Sequence, residues 1–187
     1  MLPLTLPYLV LAAFFIVELI LRKDGYAKSL GKTKSDRNST SLITIAIFTV
    51  VGLSIIFNYL KSGVFESRII REVALVIMVF GLFLRVWSMI TLKRYYTRTL
   101  ITTKQQTIIK KGPYSIIRHP GYLGTILVWS FAGLAMQNII IPIVSTLLIV
   151  ASYVYRINKE EKMLAEQFGK QYIDYKFNTW RLIPFIW

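Results

Sequence analysis

The feature that most constrains this chain is a series of long apolar segments almost free of charge. They run from about Leu2 to Leu21, Ser41 to Leu60, Val73 to Leu92, Tyr122 to Ile141 and Ile143 to Tyr155. A helix needs about 20 apolar residues to cross the hydrocarbon core, so the first four are adequate spans. The fifth is shorter and is expected to continue beyond the membrane as the helix carrying YRINKEEKMLAEQFG. Inside a bilayer every backbone polar group must find its partner within the protein, which leaves helices as the fold for such segments. The sequence therefore predicts an all-α integral membrane protein. It has five transmembrane helices, of which spans four and five form a hairpin, and a cytosolic C-terminal helix. Residues 1–92 supply the first three spans and 93–187 a single core built on the last two, all within one membrane domain.

Charged residues make up only 17% of the 187 residues, against about a quarter in soluble domains, and they lie between the apolar runs. Six basic residues occupy the loop after the first segment, from Arg22 to Arg37, and seven lie between Lys93 and Arg118. The loop after the second has Lys61, Arg68 and Arg71, offset by Glu66 and Glu72. If each segment crosses once, the strongly basic loops and the basic C-terminal region share one side. The excess of Lys and Arg then makes that side cytoplasmic, with the N-terminus outside. The first segment lacks a leading basic region, and its charges follow the apolar run, as in a membrane span and unlike a cleavable signal. The net charge of +14 is accounted for by this asymmetry and by anionic headgroups, so nucleic acid is not an expected partner. With no cysteine and one histidine, disulfides are excluded and a zinc site is not expected.

The single histidine stands in GPYSIIRHPGYLG, residues 112–124. Gly112-Pro113 signals a turn, and Pro120 biases His119 away from helical angles while suiting the first turn of a helix. Arg118 and His119 thus sit at the entrance of the fourth span, where backbone N–H groups lack partners and a polar ligand can bind. Interfacial anchoring by basic residues explains the same pair. A second polar cluster follows the fifth span on the same side: Arg156 and Glu160 are four residues apart and share a helix face, with Glu161 on the neighbouring one. Beyond it Leu164, Phe168, Tyr172 and Tyr175 recur at helical steps as an apolar stripe, interrupted by Gly169, where the helix is expected to break.

GPYSIIRHPGYLG followed by RINKEEKMLAEQFGKQYIDYKFNTWRLIPF resembles the membrane methyltransferases of the isoprenylcysteine carboxyl methyltransferase family, relatives of phospholipid N-methyltransferases. That family shows, in this order, Gly-x-Tyr, Arg-His-Pro-x-Tyr-x-Gly, a helical hairpin, Arg with tandem glutamates, Phe-Gly-x-x-Tyr-x-x-Tyr and a late Leu-x-Pro. The resemblance covers about Lys104 to the C-terminus. It implies methyl transfer from S-adenosylmethionine at the membrane–cytosol boundary to a lipophilic acceptor, a prenylcysteine carboxylate being the family's best-known one. Membrane lipids and a lipidated or lipid substrate are the implied partners. By the same resemblance Tyr114, Arg118, His119, Pro120, Gly121 and Glu160 form the cofactor pocket. Gln106, Thr107, Ile108 and Ile109 add backbone contacts, Gln106 standing where the family often has histidine. Arg156 faces the acceptor, and Arg156, Glu160 and His119 carry the catalytic roles. Glu161 and Leu164 shape the site. A carboxylate acceptor needs no base, whereas a hydroxyl or amine would call on His119 or Glu161.

Two other readings stay open on sequence. Sterol-type reductases share an Arg-His-x-x-Tyr-x-Gly-like segment and use NADPH, whose 2′-phosphate Lys110-Lys111 could serve. A non-catalytic lipid-binding protein could retain the same fold. Arg85, inside the third span, is expected either to line the cavity or to snorkel, and Glu18 to reach the headgroups without a role. Trp87, Trp129, Tyr153, Tyr155, Trp180 and Trp187 read as interfacial anchors, some of them able to line a tunnel for a lipid tail.

Overall fold

The computed structural model describes residues 5–21, 38–92 and 107–186, and within them the chain is almost wholly helical. Helices α1 (Leu6–Leu21), α2 (Ser39–Tyr59), α3 (Arg68–Leu92), α4 (Pro120–Ala135), α5 (Ile140–Phe168) and α6 (Lys170–Phe177) follow one another, with a short 3-10 turn at Gly112–Ser115. Three of them, α2, α3 and α5, are long and apolar enough to cross a membrane by length and composition; α1 and α4 are shorter apolar helices. Apolar side chains also cover much of the outer surface, among them Phe48 on α2, Val76 and Phe83 on α3 and Leu147 on α5. An exposed apolar surface of this extent marks a protein whose solvent is lipid.

Glycines let α3 and α4 approach closely. The most extensive packing is between α3 and α4. A Cβ on Gly124 would lie 2.5 Å from the Gly81 carbonyl oxygen, and one on Gly81 would lie 2.8 Å from that of Gly124. The two backbones touch there, as small residues allow between membrane helices. Around this crossing Met78, Val128, Trp129, Ile149 and Ile157 form the buried core, and Phe14 of α1 packs edge-on against Trp129. Trp129 is thus a core residue, only 2% exposed, and not the interfacial anchor expected from its type. Tyr153 is buried as well, whereas Trp87, Tyr155 and Trp180 are open at the surface. Trp187 lies outside the described residues.

Asn138, fully buried, organises the end of the bundle away from the histidine and tandem-glutamate motifs. Its Oδ1 accepts from the Ile140 and Ile141 N–H groups, and its Nδ2 donates to the Ser62 carbonyl. The Ile139 N–H adds a bond to the Gly63 carbonyl, so the α2–α3 and α4–α5 connections are stapled together. This cap also explains a difference from the sequence reading. The turn falls at Met136–Ile139, so α4 stops at Ala135, and α5 starts at Ile140 and runs unbroken for 29 residues, about 44 Å. At its far end Gly169 takes a φ of 51°, a left-handed value glycine adopts without a Cβ clash. There the chain turns into α6, as its sequence position predicts.

The glycine crossing yields a test. Gly124→Val places side-chain atoms inside the Gly81 backbone contact, and overpacking of this kind costs about 1–3 kcal/mol. Thermal unfolding in detergent should show a Tm several degrees lower; an unchanged Tm would mean that the helices do not touch here.

Candidate active site

Among the described residues, the histidine motif and the Arg156–Glu161 cluster singled out in the sequence meet at the other end of the bundle. The 3-10 turn buries Pro113 and Tyr114. His119 ends the following extended stretch with non-helical backbone angles, and Pro120 occupies the first turn of α4, because a proline there lacks only an N–H that the helix would leave unpaired. The same stretch is paired with the returning C-terminal segment. The Arg118 and His119 N–H groups donate to the Trp180 and Arg181 carbonyls, and the Trp180 N–H donates to that of Ile116.

Side chains reinforce this pairing around one carboxylate. Glu161, 4% exposed in its side chain, accepts from Arg118 Nε at 2.9 Å and from Arg181 Nη2 at 2.7 Å, with Lys176 Nζ at 3.4 Å. Arg118 also donates to the Lys176 and Thr179 carbonyls. The tandem glutamates therefore separate in role. Glu161 ties the segment before α4 to α6 and the C-terminal tail through this cationic surround. His119 spans the pair, with Nε2 3.4 Å from Glu161 and Nδ1 3.7 Å from Glu160.

Glu160 points elsewhere. Its Oε2 accepts from the Tyr122 hydroxyl at 2.7 Å, and its Oε1 has no partner among the described residues. The Tyr122 hydroxyl in turn accepts from Arg156 Nε at 2.8 Å. Arg156 is 4% exposed, and its Nη1 donates to the hydroxyls of Ser39 and Thr40 in the first turn of α2. A surface Arg–Glu pair is thus replaced by a buried network through a tyrosine. Glu18 and Arg85, both 7% exposed, form a second buried pair at 2.7 Å, and Arg85 Nη1 donates to the Gly121 carbonyl. Glu18 does not reach out to headgroups: a carboxylate inside a span is stabilised best by a paired cation.

Glu18, Arg85, Tyr122, Arg156 and Glu160 line one cavity of about 560 Å³, which Glu161 supports from behind the lining. One part is apolar, with Phe14, Phe15, Ile43, Ile47, Phe48 and Val51 from α1 and α2; the other holds Tyr114, Arg118, His119, Glu160, Tyr172 and Tyr175. Arg156, Arg85, Gly121 and Thr107 to Ile109 also line it. Pro120 is buried behind it in the α4 turn, and Gln106 lies outside the described residues. The stripe Leu164, Phe168, Tyr172 and Tyr175 faces the cavity entire. Burial pushes the Tyr172 and Tyr175 hydroxyls above their ordinary range, so both stay protonated. Tyr175 donates to the Tyr114 carbonyl at 2.6 Å. The buried Tyr172 hydroxyl has no partner among the described residues. Sequence reasoning gave no role to Tyr122, Ser39, Thr40 or Glu18. Tyr122 alone carried a signal, as the tyrosine of the Arg-His-Pro-x-Tyr motif.

Comparison with known proteins identifies the family. The profile of the isoprenylcysteine carboxyl methyltransferase family matches residues 73–166, which include the histidine turn, the hairpin and both glutamates. The chain belongs to that family. It is 27% identical over 155 residues to protein-S-isoprenylcysteine O-methyltransferase B of Arabidopsis thaliana, covering 79% of this chain and 78% of the relative. To the probable protein-S-isoprenylcysteine O-methyltransferase of Oryza sativa subsp. japonica it is 30% identical, covering 71% and 69%. It spans about half the length of the Mus musculus enzyme, at 29% identity with 74% of this chain covered. Among solved structures it resembles the eukaryotic intramembrane Ras methyltransferase with a TM-score of 0.66 and 25% identity, covering 76% of this chain and 52% of that one. The chain is accordingly an integral membrane methyltransferase, and neither the reductase nor the non-catalytic reading is favoured.

The Glu161 network makes its own prediction. Glu161→Gln weakens contacts to Arg118, Arg181 and Lys176 at once, and breaking a buried ion pair from one side costs about 3–5 kcal/mol. Limited trypsin digestion should cut after Lys176 or Arg181 at least about tenfold faster than in the parent. Equal rates would show that the carboxylate does not hold the tail.

Proposed function

We propose that this enzyme methylates the carboxylate of a lipophilic acceptor, with S-adenosylmethionine as donor, at the cytoplasmic face of its membrane. The observation that carries this reading is the shared cavity: an apolar lining from α1 and α2 is continuous with a polar lining that holds Glu160, Arg118 and Tyr172. The relatives' names specify an isoprenylcysteine as the methylated group, and a prenylated cysteine carboxylate, lipid tail toward the apolar lining, is the acceptor proposed here. The membrane arrangement proposed is five spans, with α1 and α4 crossing as shorter helices, the N-terminus outside and α6 in the cytoplasm. The positions of Lys and Arg support it.

The polar lining suits an adenosyl cofactor. Glu160 would accept from ribose hydroxyls or the ammonium group through its unpartnered oxygen, Arg118 would face the cofactor carboxylate, and Tyr172 would find the hydrogen-bond partner its buried hydroxyl lacks. The backbone at Thr107 to Ile109, with Tyr114 and Gly121, would complete the wall. When bound, S-adenosylmethionine supplies a methyl group already activated by its sulfonium. What the chain then contributes is alignment and exclusion of water. Arg156 orients the acceptor carboxylate, which arrives ionised, so no proton has to be removed. His119, set between the two glutamates, aligns Glu160 while Glu161 closes the C-terminal segment over the site.

Calorimetric titration of the detergent-solubilised protein tests this. S-adenosylhomocysteine should bind saturably, Glu160→Ala should weaken it at least about tenfold, which is about 1.4 kcal/mol, and NADPH should not bind. Binding of NADPH alone would reinstate the reductase.

A further inference from the structure

Tyr122 touches both halves of the proposed site, and neither sequence nor family resemblance gave it a task. Its hydroxyl accepts from Arg156 Nε and donates to Glu160 Oε2, at 2.8 and 2.7 Å. Its ring is held on two sides. It stacks on His119 with centroids 5.4 Å apart and planes 4° from parallel, and it meets the Tyr153 ring at 4.9 Å. The Arg156 guanidinium carbon lies 5.6 Å from the ring centre. The phenol is therefore fixed in position as well as bonded.

We propose that Tyr122 is the positioning residue of methyl transfer, a hydroxyl that sets the spacing between the acceptor-orienting guanidinium and the cofactor-side carboxylate. The inference rests on the methyltransferase reading above. Its physical basis is that both flanking groups sit on α5 only one turn apart, whereas the tyrosine comes from α4. Without the hydroxyl, a long flexible arginine and a glutamate can each choose among several rotamers. With it, each has a charge-assisted bond to one fixed oxygen. Ser39 and Thr40 hold the guanidinium from the α2 side, so Tyr122 and α2 clamp it between them. Reactions that depend on alignment lose about 10²-fold for a displacement near 1 Å.

Two variants separate the hydroxyl from the ring. Tyr122→Phe keeps the stacking and removes only the bridge; Tyr122→Leu removes both. With wild type as reference, one would measure Tm, S-adenosylhomocysteine affinity, and kcat and KM for a prenylcysteine acceptor. The expected result for Tyr122→Phe is a Tm within a few degrees of wild type, cofactor affinity within about threefold, and a kcat lower by about 30- to 100-fold. Tyr122→Leu should lower kcat to a similar level while also losing Tm. In a Glu160→Gln background the Tyr122→Phe change should cost little more, because the two residues act through one bond. If Tyr122→Phe matches active wild type and only Tyr122→Leu is impaired, the ring is a packing element and the proposal is overturned. If wild type itself transfers no methyl to the acceptor, the functional reading fails first and this one with it.

Discussion

The site depends on one buried carboxylate. Glu161 gathers Arg118, Arg181, Lys176 and His119, which come from the segment before α4, from α6 and from the tail. Burial of the Glu161 carboxylate or the Arg118 guanidinium alone would be costly. Together they compensate one another, and the compensation is available only when the C-terminal segment lies across the entrance of α4. The paired backbone stretch at Ile116–His119 and Trp180–Arg181 is the hydrogen-bonded frame of the same closure. The entrance of α4 and the C-terminal strap are thus one electrostatic unit, and the neighbouring Glu160, released from that duty, faces the cavity.

A bilayer makes interior charge expensive, yet this bundle buries Glu18, Arg85 and Arg156. Glu18 and Arg85 lie within about two turns of the C-terminal ends of α1 and α3, and Arg156 lies in the middle of α5, beside the first turn of α2. The apolar surface faces outward and the polar groups face the cavity, the inverse of a soluble domain. The stapled connections around Asn138 at the opposite end need no charge at all. In the function proposed above, this polarity along the bundle axis would let a water-soluble cofactor and a lipid tail enter the same cavity from different directions.

Much of this was legible in the sequence, and the failures have physical causes. Apolar length found the helices, and the turn residues Gly112, Pro113 and Pro120 found the entrance of α4, because proline and glycine restrict the backbone locally. The end of α4 was placed too late, since Asn138 acts through a cap to another loop that no local pattern records. Trp129 looked like an anchor because residue type cannot report a neighbour such as Phe14. Glu18 was read as idle because its partner Arg85 is 67 residues away. The split of the tandem glutamates follows from their helix faces and was half visible; the bridge through Tyr122 needed three helices in register.

The central claim is methyl transfer to a carboxylate in this cavity. The direct measurement is transfer of labelled methyl from S-adenosylmethionine to an S-prenylated cysteine by the purified protein in lipid nanodiscs, followed by mild base. A methyl ester releases its label as volatile methanol, and that release is the result predicted here. No incorporation by folded, cofactor-binding protein, or label that survives base as an ether or amine would, contradicts the carboxylate assignment.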